Sequence, residues 1–318
     1  MSFWLLILIG FVSVGVGLWL VSHIIEALRP IPQAPQTLRW APDIPIDYVD
    51  VGGYRLRYIK VGRGPNLVLL HTLRTQLDLF EKVAPELAKD FTVYALDYPG
   101  HGYSDIPEAR YTADFFANSV ERFLDALDLR EVTLSGVSIG GAIALIIAGR
   151  RNPRIARVLA INPYDYAKGR GMARSSPLGW MIMVTSDIPM IGETVMRLRN
   201  FIIMKTVLQG GVVNPKSTPS ELLKEMYEVG NRPGHYRAFI SLLRNAASWE
   251  AATEAYGKIN APVRLLWGNE DWARPSEREH DRSLIQGVEM VMVEHGGHFL
   301  PLDRPDAVIE QIKILASL

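Results

Sequence analysis

The chain has 318 residues, 48% of them hydrophobic, with 26 Gly, 20 Pro and no Cys, so it can build a large core and is neither a collagen, a disulfide scaffold nor a thiolate-ligated metal protein. Thirty-four Lys plus Arg balance thirty-four Asp plus Glu, which leaves no bulk positive field to hold nucleic acid. The absence of cysteine suits the cytosol and an oxidising compartment equally.

From Met1 to Ile25 there is no Asp, Glu, Lys or Arg. About 20 helical residues cross the hydrocarbon core of a bilayer, and Trp4 and Trp19 lie near the two ends of the run, where indole rings favour the headgroup region. A cleaved signal peptide would have a basic start, a shorter apolar region and a small-residue cleavage site, and none is clear. Residues 1–28 are therefore read as a transmembrane anchor. Arg29 and Arg39 follow the span and nothing basic precedes it, so the positive-inside tendency leans the rest of the chain toward the cytoplasm. Residues 29–46 contain Pro30, Pro32, Pro35, Pro42 and Pro45, a spacing that predicts an extended, semi-rigid linker before a domain starting at residue 47.

Tyr54 to Ile59 alternates like a half-buried strand, and after the turn Gly62 to Asn66 the run Leu67 to Leu70 predicts a second strand adjacent to it. Leu77 to Ala88 and Tyr111 to Leu127 have helical spacing, with a buried strand at Phe91 to Leu96 between them. A short strand, Val132 to Ser135, leads into the apolar helix Ile139 to Ala148. Strands are also predicted at Arg157 to Ile161, Val263 to Trp267 and Val288 to Val293. Strands alternating with helices imply an α/β domain with a mostly parallel sheet and helices on both faces. Residues 166–256 interrupt the alternation as a helical cap insertion, so the core falls into two parts, 47–165 and 257–318. Seven of the ten methionines, Met172, Met181, Met183, Met190, Met196, Met204 and Met226, lie in that insertion. They serve either a flexible lid over an apolar pocket or simple packing of the insertion onto the core.

Gly136-Val137-Ser138-Ile139-Gly140 matches G-x-S-x-G between a strand and a helix. A nucleophile elbow needs that setting, because the glycines permit the tight turn and the helix directs its positive end toward developing negative charge. The serine hydroxyl needs a base, and the base needs an acid to fix its tautomer. Asp271 and His298 each follow a predicted strand, at the edge of a parallel sheet where such side chains converge. Asp165 is a second candidate acid and His295 a second candidate base, whereas His101, His235 and His280 lie in settings typical of surface or packing residues.

His71, the run Asp97 to Ser104, the Ser138 elbow, Trp267 to Asp271 and Gly297 to Leu302 resemble successive landmarks of the α/β-hydrolase superfamily. The capped branch of monoacylglycerol lipases, carboxylesterases and carbon–carbon bond hydrolases is the most similar. The resemblance implies the α/β-hydrolase fold, with Ser138 as nucleophile, His298 as base and Asp271 as acid. It also implies an oxyanion hole made by the backbone N–H groups of Ile139 and Leu73. Serine at the elbow argues against haloalkane dehalogenase and epoxide hydrolase relatives, which have Asp there. No metal or organic cofactor is implied. Thr72 departs from the glycine usual after His71, which restricts the loop and brings Arg74 into question: it reaches a substrate carboxylate or phosphate, or forms an internal salt bridge. The expected activity is hydrolysis of apolar or lipid-like carboxylic esters. Cleavage of a carbon–carbon, lactone or amide bond, acyl transfer, and ligand binding without turnover are the alternatives.

Overall fold

The structure, a computed structural model, describes residues 2–317. Helix α1 (Phe3–Ala27) opens on Ser2, whose hydroxyl accepts the Leu5 N–H at 3.3 Å. Its side chains, among them Phe3, Trp4, Leu8 and Phe11, stand exposed, and it is long and apolar enough to cross a membrane. Its C-terminal part meets the rest of the protein at α6 (Ile191–Arg197) and at Arg199, which pairs with Glu26.

Nine strands form one sheet in the order β1-β2-β3-β5-β4-β6-β7-β8-β9. Their ranges are β1 (Thr37–Leu38), β2 (Ala41–Asp50), β3 (Arg55–Val61), β4 (Asn66–Leu70), β5 (Thr92–Leu96), β6 (Val132–Val137), β7 (Ile155–Ile161), β8 (Val263–Gly268) and β9 (Glu289–Val293). From β5 to β9 all neighbours run parallel, while β1 to β3 form an antiparallel edge. Two expectations change here. β3 lies against β5 rather than beside β4. The expected helix over Leu77 to Ala88 is a 3-10 turn, Leu77–Phe80, followed by the short α2 (Ala84–Leu87), because Pro85 cannot donate into a continuous helical ladder.

The segment 29–46 is also not a stalk held away from the domain, and the core begins before residue 47. β2 starts at Ala41, and its ladder with β3 runs from Ile46, so the N–H groups missing at Pro42 and Pro45 cost that ladder nothing. Trp40 Nε1 donates to Asp78 Oδ1 at 2.8 Å, and Arg39 pairs with Glu81 and Glu225. The Arg29 guanidinium donates to the carbonyls of Arg197 at 2.7 Å and Arg199 at 2.6 Å.

One face of the sheet is covered by α3 (Ala113–Ala126) and α4 (Ile139–Gly149), with Phe116, Phe123, Ile143 and Ile147 wholly buried. α4 is buried at every position, as its unbroken apolar sequence requires. Leu69, Phe80, Val83 and Ile312 build the opposite face, covered by α12 (Leu300–Asp303) and α13 (Pro305–Ala316) among others. Among the described residues no strand occurs between Ile161 and Val263. That interval holds α5 (Pro177–Ser186), α6, α7 (Phe201–Gln209), α8 (Ser220–Val229), α9 (His235–Arg244) and α10 (Ala247–Ala251), and α11 (Pro275–Leu284) follows β8. The insertion is fastened to the core by directional bonds: Arg232 to the carbonyls of Gly102 and Ser104, Arg174 to Glu277, and Trp272 Nε1 to the Gly210 carbonyl at 2.9 Å.

Candidate active site

The turn from β6 to α4 places Ser138 at φ 59° and ψ −119°, a conformation that costs a non-glycine residue of order 1–3 kcal/mol. The neighbouring glycines make it possible. A Cβ at position 136 would lie 2.1 Å from the Gly140 carbonyl oxygen, and one at 140 would lie 2.3 Å from that of Leu70. Two bonds clamp the turn: the Ser138 N–H donates to the Ile161 carbonyl at 2.8 Å, and the Ser138 carbonyl accepts the Tyr164 N–H at 3.1 Å.

His298 and Asp271 arrive from the loops after β9 and β8. His298 Nε2 lies 2.8 Å from Ser138 Oγ, and its Nδ1 lies 2.5 Å from Asp271 Oδ2. With the carboxylate accepting the Nδ1 proton, Nε2 is left to accept the serine proton. The second Asp271 oxygen accepts the Ala273 N–H at 2.7 Å. Ser138 and His298 are buried, and the Trp272 ring stacks on the His298 imidazole with centroids 3.8 Å apart and planes 14° from parallel.

Asn162 was not among the sequence candidates. It sits one residue past β7 with φ 44°, donates through Nδ2 to the carbonyls of Gly297 and His298 at 3.0 Å each, and accepts the Gly268 N–H at 2.8 Å. It therefore ties the ends of β7 and β8 to the loop carrying His298. Asparagine tolerates the left-handed region, and its place on the same sheet edge was the one available signal. Trp272, next to Asp271, was likewise missed.

The loop after β4 carries the other half of the site. The His71 ring donates from Nδ1 to the Thr72 carbonyl at 2.7 Å, and Nε2 accepts the Tyr98 N–H at 3.2 Å. Burial pushes the His71 pKa down to about 3, so the ring is neutral and serves as a loop brace. The Leu73 N–H donates to no acceptor among the described residues, and the Ile139 N–H is the first of α4, where helices leave donors free. Within the loop the left-handed residue is Arg74, at φ 62°, rather than Thr72. Arg74 forms no salt bridge among the described residues; its Nη1 lies 3.2 Å from Nδ1 and 3.3 Å from Nε2 of His235.

Of the other candidates, Asp165 accepts the Tyr256 hydroxyl at 2.6 Å and sits against Asp281, remote from His298 in its bonding, and burial raises the pKa of both carboxyls. His295 and His280 are exposed. His101 is buried beside His71, with ring centroids 5.4 Å apart. His235 is buried as well and is among the residues lining a cavity.

That cavity lies between the loop after β4 and the insertion. Leu73, Arg74, Met172, Met196, Met204 and Trp272 are among the residues lining it. All three of these methionines are buried, as are Met183 and Met226, which do not line the cavity. The space open to the centre of a water molecule is about 60 Å³, enough for a few waters at the 10–15 Å³ each requires. A larger ligand must displace side chains to enter.

Several known proteins share this architecture. An uncharacterised protein of Mycobacterium bovis is 27% identical over 296 residues, covering 90% of this chain and 83% of that protein. The soluble epoxide hydrolase of a Corynebacterium species is 26% identical across 84% of this chain and 96% of its own. The monoacylglycerol lipase abhd6-A of Xenopus laevis is 24% identical across 84% and 80%. Among solved structures, Cfl2 of Burkholderia cenocepacia superposes with a TM-score of 0.77 at 20% identity, covering 89% of this chain and 99% of that one. Residues 65–305 match the family model described as alpha/beta hydrolase fold, and the chain belongs to that family.

Proposed function

We propose that this protein is a membrane-anchored serine hydrolase that cleaves carboxylic esters with apolar acyl parts. The observation that carries the reading is the unbroken chain of hydrogen bonds from Ser138 Oγ on its strained elbow through His298 to Asp271, with Trp272, stacked on His298, in the wall of an apolar cavity. As substrate binds, Ser138 Oγ attacks the ester carbonyl carbon and its proton passes to His298 Nε2. The Leu73 and Ile139 N–H groups hold the negative oxygen of the tetrahedral intermediate. Its C–O bond to the leaving alcohol breaks, and the alkoxide takes the proton from His298. Water then attacks the acyl-serine, gives its proton to the same nitrogen, and the carboxylic acid departs as Ser138 regains its hydrogen. Asp271 stabilises the imidazolium at each stage, and Asn162 and Trp272 keep the ring in place.

Support for anchorage comes from α1. Its apolar side chains are exposed, yet Ser22 is buried against Arg197 at 3.1 Å and Glu26 pairs with Arg199 at 2.6 Å. These bonds support reading the helix as a retained anchor and not a cleaved leader. In this reading the insertion is a cap and its methionines let the pocket adapt.

The test is labelling of the detergent-solubilised protein by a fluorophosphonate, together with turnover of p-nitrophenyl esters from acetyl to palmitoyl. Both are expected in the wild type and absent from Ser138→Ala. Turnover that survives the substitution, or a folded wild type that neither labels nor turns over, rejects the reading. A reporter fused to the C-terminus is expected to give a cytoplasmic signal.

A further inference from the structure

The cavity beside the proposed oxyanion donors is apolar on most of its surface but has two guanidiniums in its wall, that of Arg199, which is paired with Glu26, and that of Arg74. Arg74 directly follows Leu73, and its left-handed backbone turns its side chain toward the insertion instead of the core. There it lies over the Phe239 ring, 5.7 Å from the centroid. Its described side-chain partner is the His235 ring, which burial and Arg74 itself keep neutral. Nearby, the single carboxylate of Glu26 serves both Arg29 and Arg199. The Arg74 charge is thus uncompensated, and loss of hydration together with Arg199 and Arg29 lowers its pKa to about 9. A charge left without a counter-ion in such surroundings is costly to maintain.

The guanidinium also lies directly against the insertion: a Cβ at Gly230 would stand 2.4 Å from Arg74 Nη2 and 2.8 Å from Nη1. A planar fork of donors matches carboxylate and phosphate oxygens, and these are the groups that would neutralise it.

We propose that the ester taken by this cavity carries an anionic oxygen group, a carboxylate or a phosphate, and that Arg74 binds it. The proposal rests on the serine-hydrolase reading above and narrows it from apolar esters to amphiphilic, negatively charged ones. The Met-rich wall receives the hydrocarbon and Arg74 the charge. A mere brace between loop and insertion would affect all esters alike, whereas a recognition residue changes the ratio between charged and neutral ones.

The experiment compares kcat/KM for two pairs of substrates in the full-length protein. One pair is p-nitrophenyl decanoate and the mono-p-nitrophenyl ester of decanedioic acid, which puts a carboxylate on the acyl end. The other is 1-decanoylglycerol and its 3-phosphate, which puts the charge on the leaving alcohol. The anionic member of at least one pair is expected to be favoured roughly tenfold to a hundredfold, as a charge-assisted hydrogen bond allows. The preference is expected to vanish in Arg74→Met and to return in part in Arg74→Lys, and the responding pair identifies the source of the charge. No preference for either anion in the wild type, or a preference that Arg74→Met leaves intact, overturns the proposal. Because Arg74→Met could impair folding, a second measurement keeps Arg74 in place. In Ser138→Ala, dodecyl phosphate is expected to raise the melting temperature more than dodecanol does, and equal shifts reject the proposal. Hydrolysis persisting in Ser138→Ala would refute the ester-hydrolase reading, while the melting comparison would still judge Arg74.

Discussion

The sheet edge and the helical insertion meet around one cavity but are built on different physical terms. On the edge, Ser138, Asn162, Asp271 and His298 have partners in short, directional hydrogen bonds anchored to strand ends. The insertion presents Met172, Met196, Met204 and Phe239 to the cavity, opposite Leu73, Trp272 and Phe299 of the core, held by contacts that tolerate rearrangement. Chemistry depends on positions accurate to fractions of an ångström, and accommodation of a chain depends on the opposite property. On the serine-hydrolase reading, the difference means that reaction and selectivity would respond to different substitutions.

The largest effect is expected from Ser138→Ala, which should lower kcat/KM by about 10⁴-fold or more on every ester, whatever its acyl length. Length-dependent residual activity would mean that the two regions are not separable. Next comes Asn162→Ala. It leaves the Gly268 N–H and two carbonyls without a partner, and is expected to reduce kcat by roughly ten- to a hundredfold through misplacement of His298, at about 1–3 kcal/mol in stability. Equal activity in this variant, read from steady-state kinetics at fixed substrate, would show that the edge needs no such tie.

Acid should act on the seam between the regions. His71 and His101 from the core and His235 from the insertion are buried and neutral, with the first two lowered to about 3 and the third well below its ordinary value, burial being the main cause in each. A histidine whose folded pKa is depressed binds its proton more readily in the unfolded chain, so stability falls as pH drops below about 6.5 and keeps falling toward the folded value. Each such ring contributes a slope of about 1.4 kcal/mol per pH unit at most. Melting temperatures from pH 7.5 to 5.0 are expected to fall, and to fall less steeply in His101→Gln. The smallest effect is expected from Met204→Leu, under about 1.5 kcal/mol in stability. Activity on p-nitrophenyl acetate should hardly change, while preference among long acyl chains should shift.

Much of the sheet edge was legible in the chain. Strand and helix periods, the paired glycines around Ser138 and the placement of Asp271 and His298 just after strands all leave local patterns, and the three side chains do meet in space. The order β5-β4-β6 was not legible, because pairing between strands distant in sequence leaves no periodic trace. Asn162 was invisible for a similar reason: an asparagine after a strand is ordinary, and only its three partners, each more than a hundred residues away, give it meaning. The break at Pro85 does leave a local signal, the proline itself, within a run whose apolar spacing is helical. The fastening of 29–46 was hidden because proline-rich sequence reports stiffness and says nothing of the carbonyls that Arg29 finds.

That last contact bears on how the protein can be prepared. Arg29 caps the carbonyls of Arg197 and Arg199, Ser22 holds the Arg197 side chain, and Glu26 holds that of Arg199, while Met196 and Arg199 line the cavity. A truncation that removes the first thirty residues to gain solubility would take away the struts behind one wall of the cavity. Kinetics measured on such a fragment would describe a differently shaped catalyst, with substrate preference the first property to drift, and full-length protein in nanodiscs is the proper reference for any specificity profile.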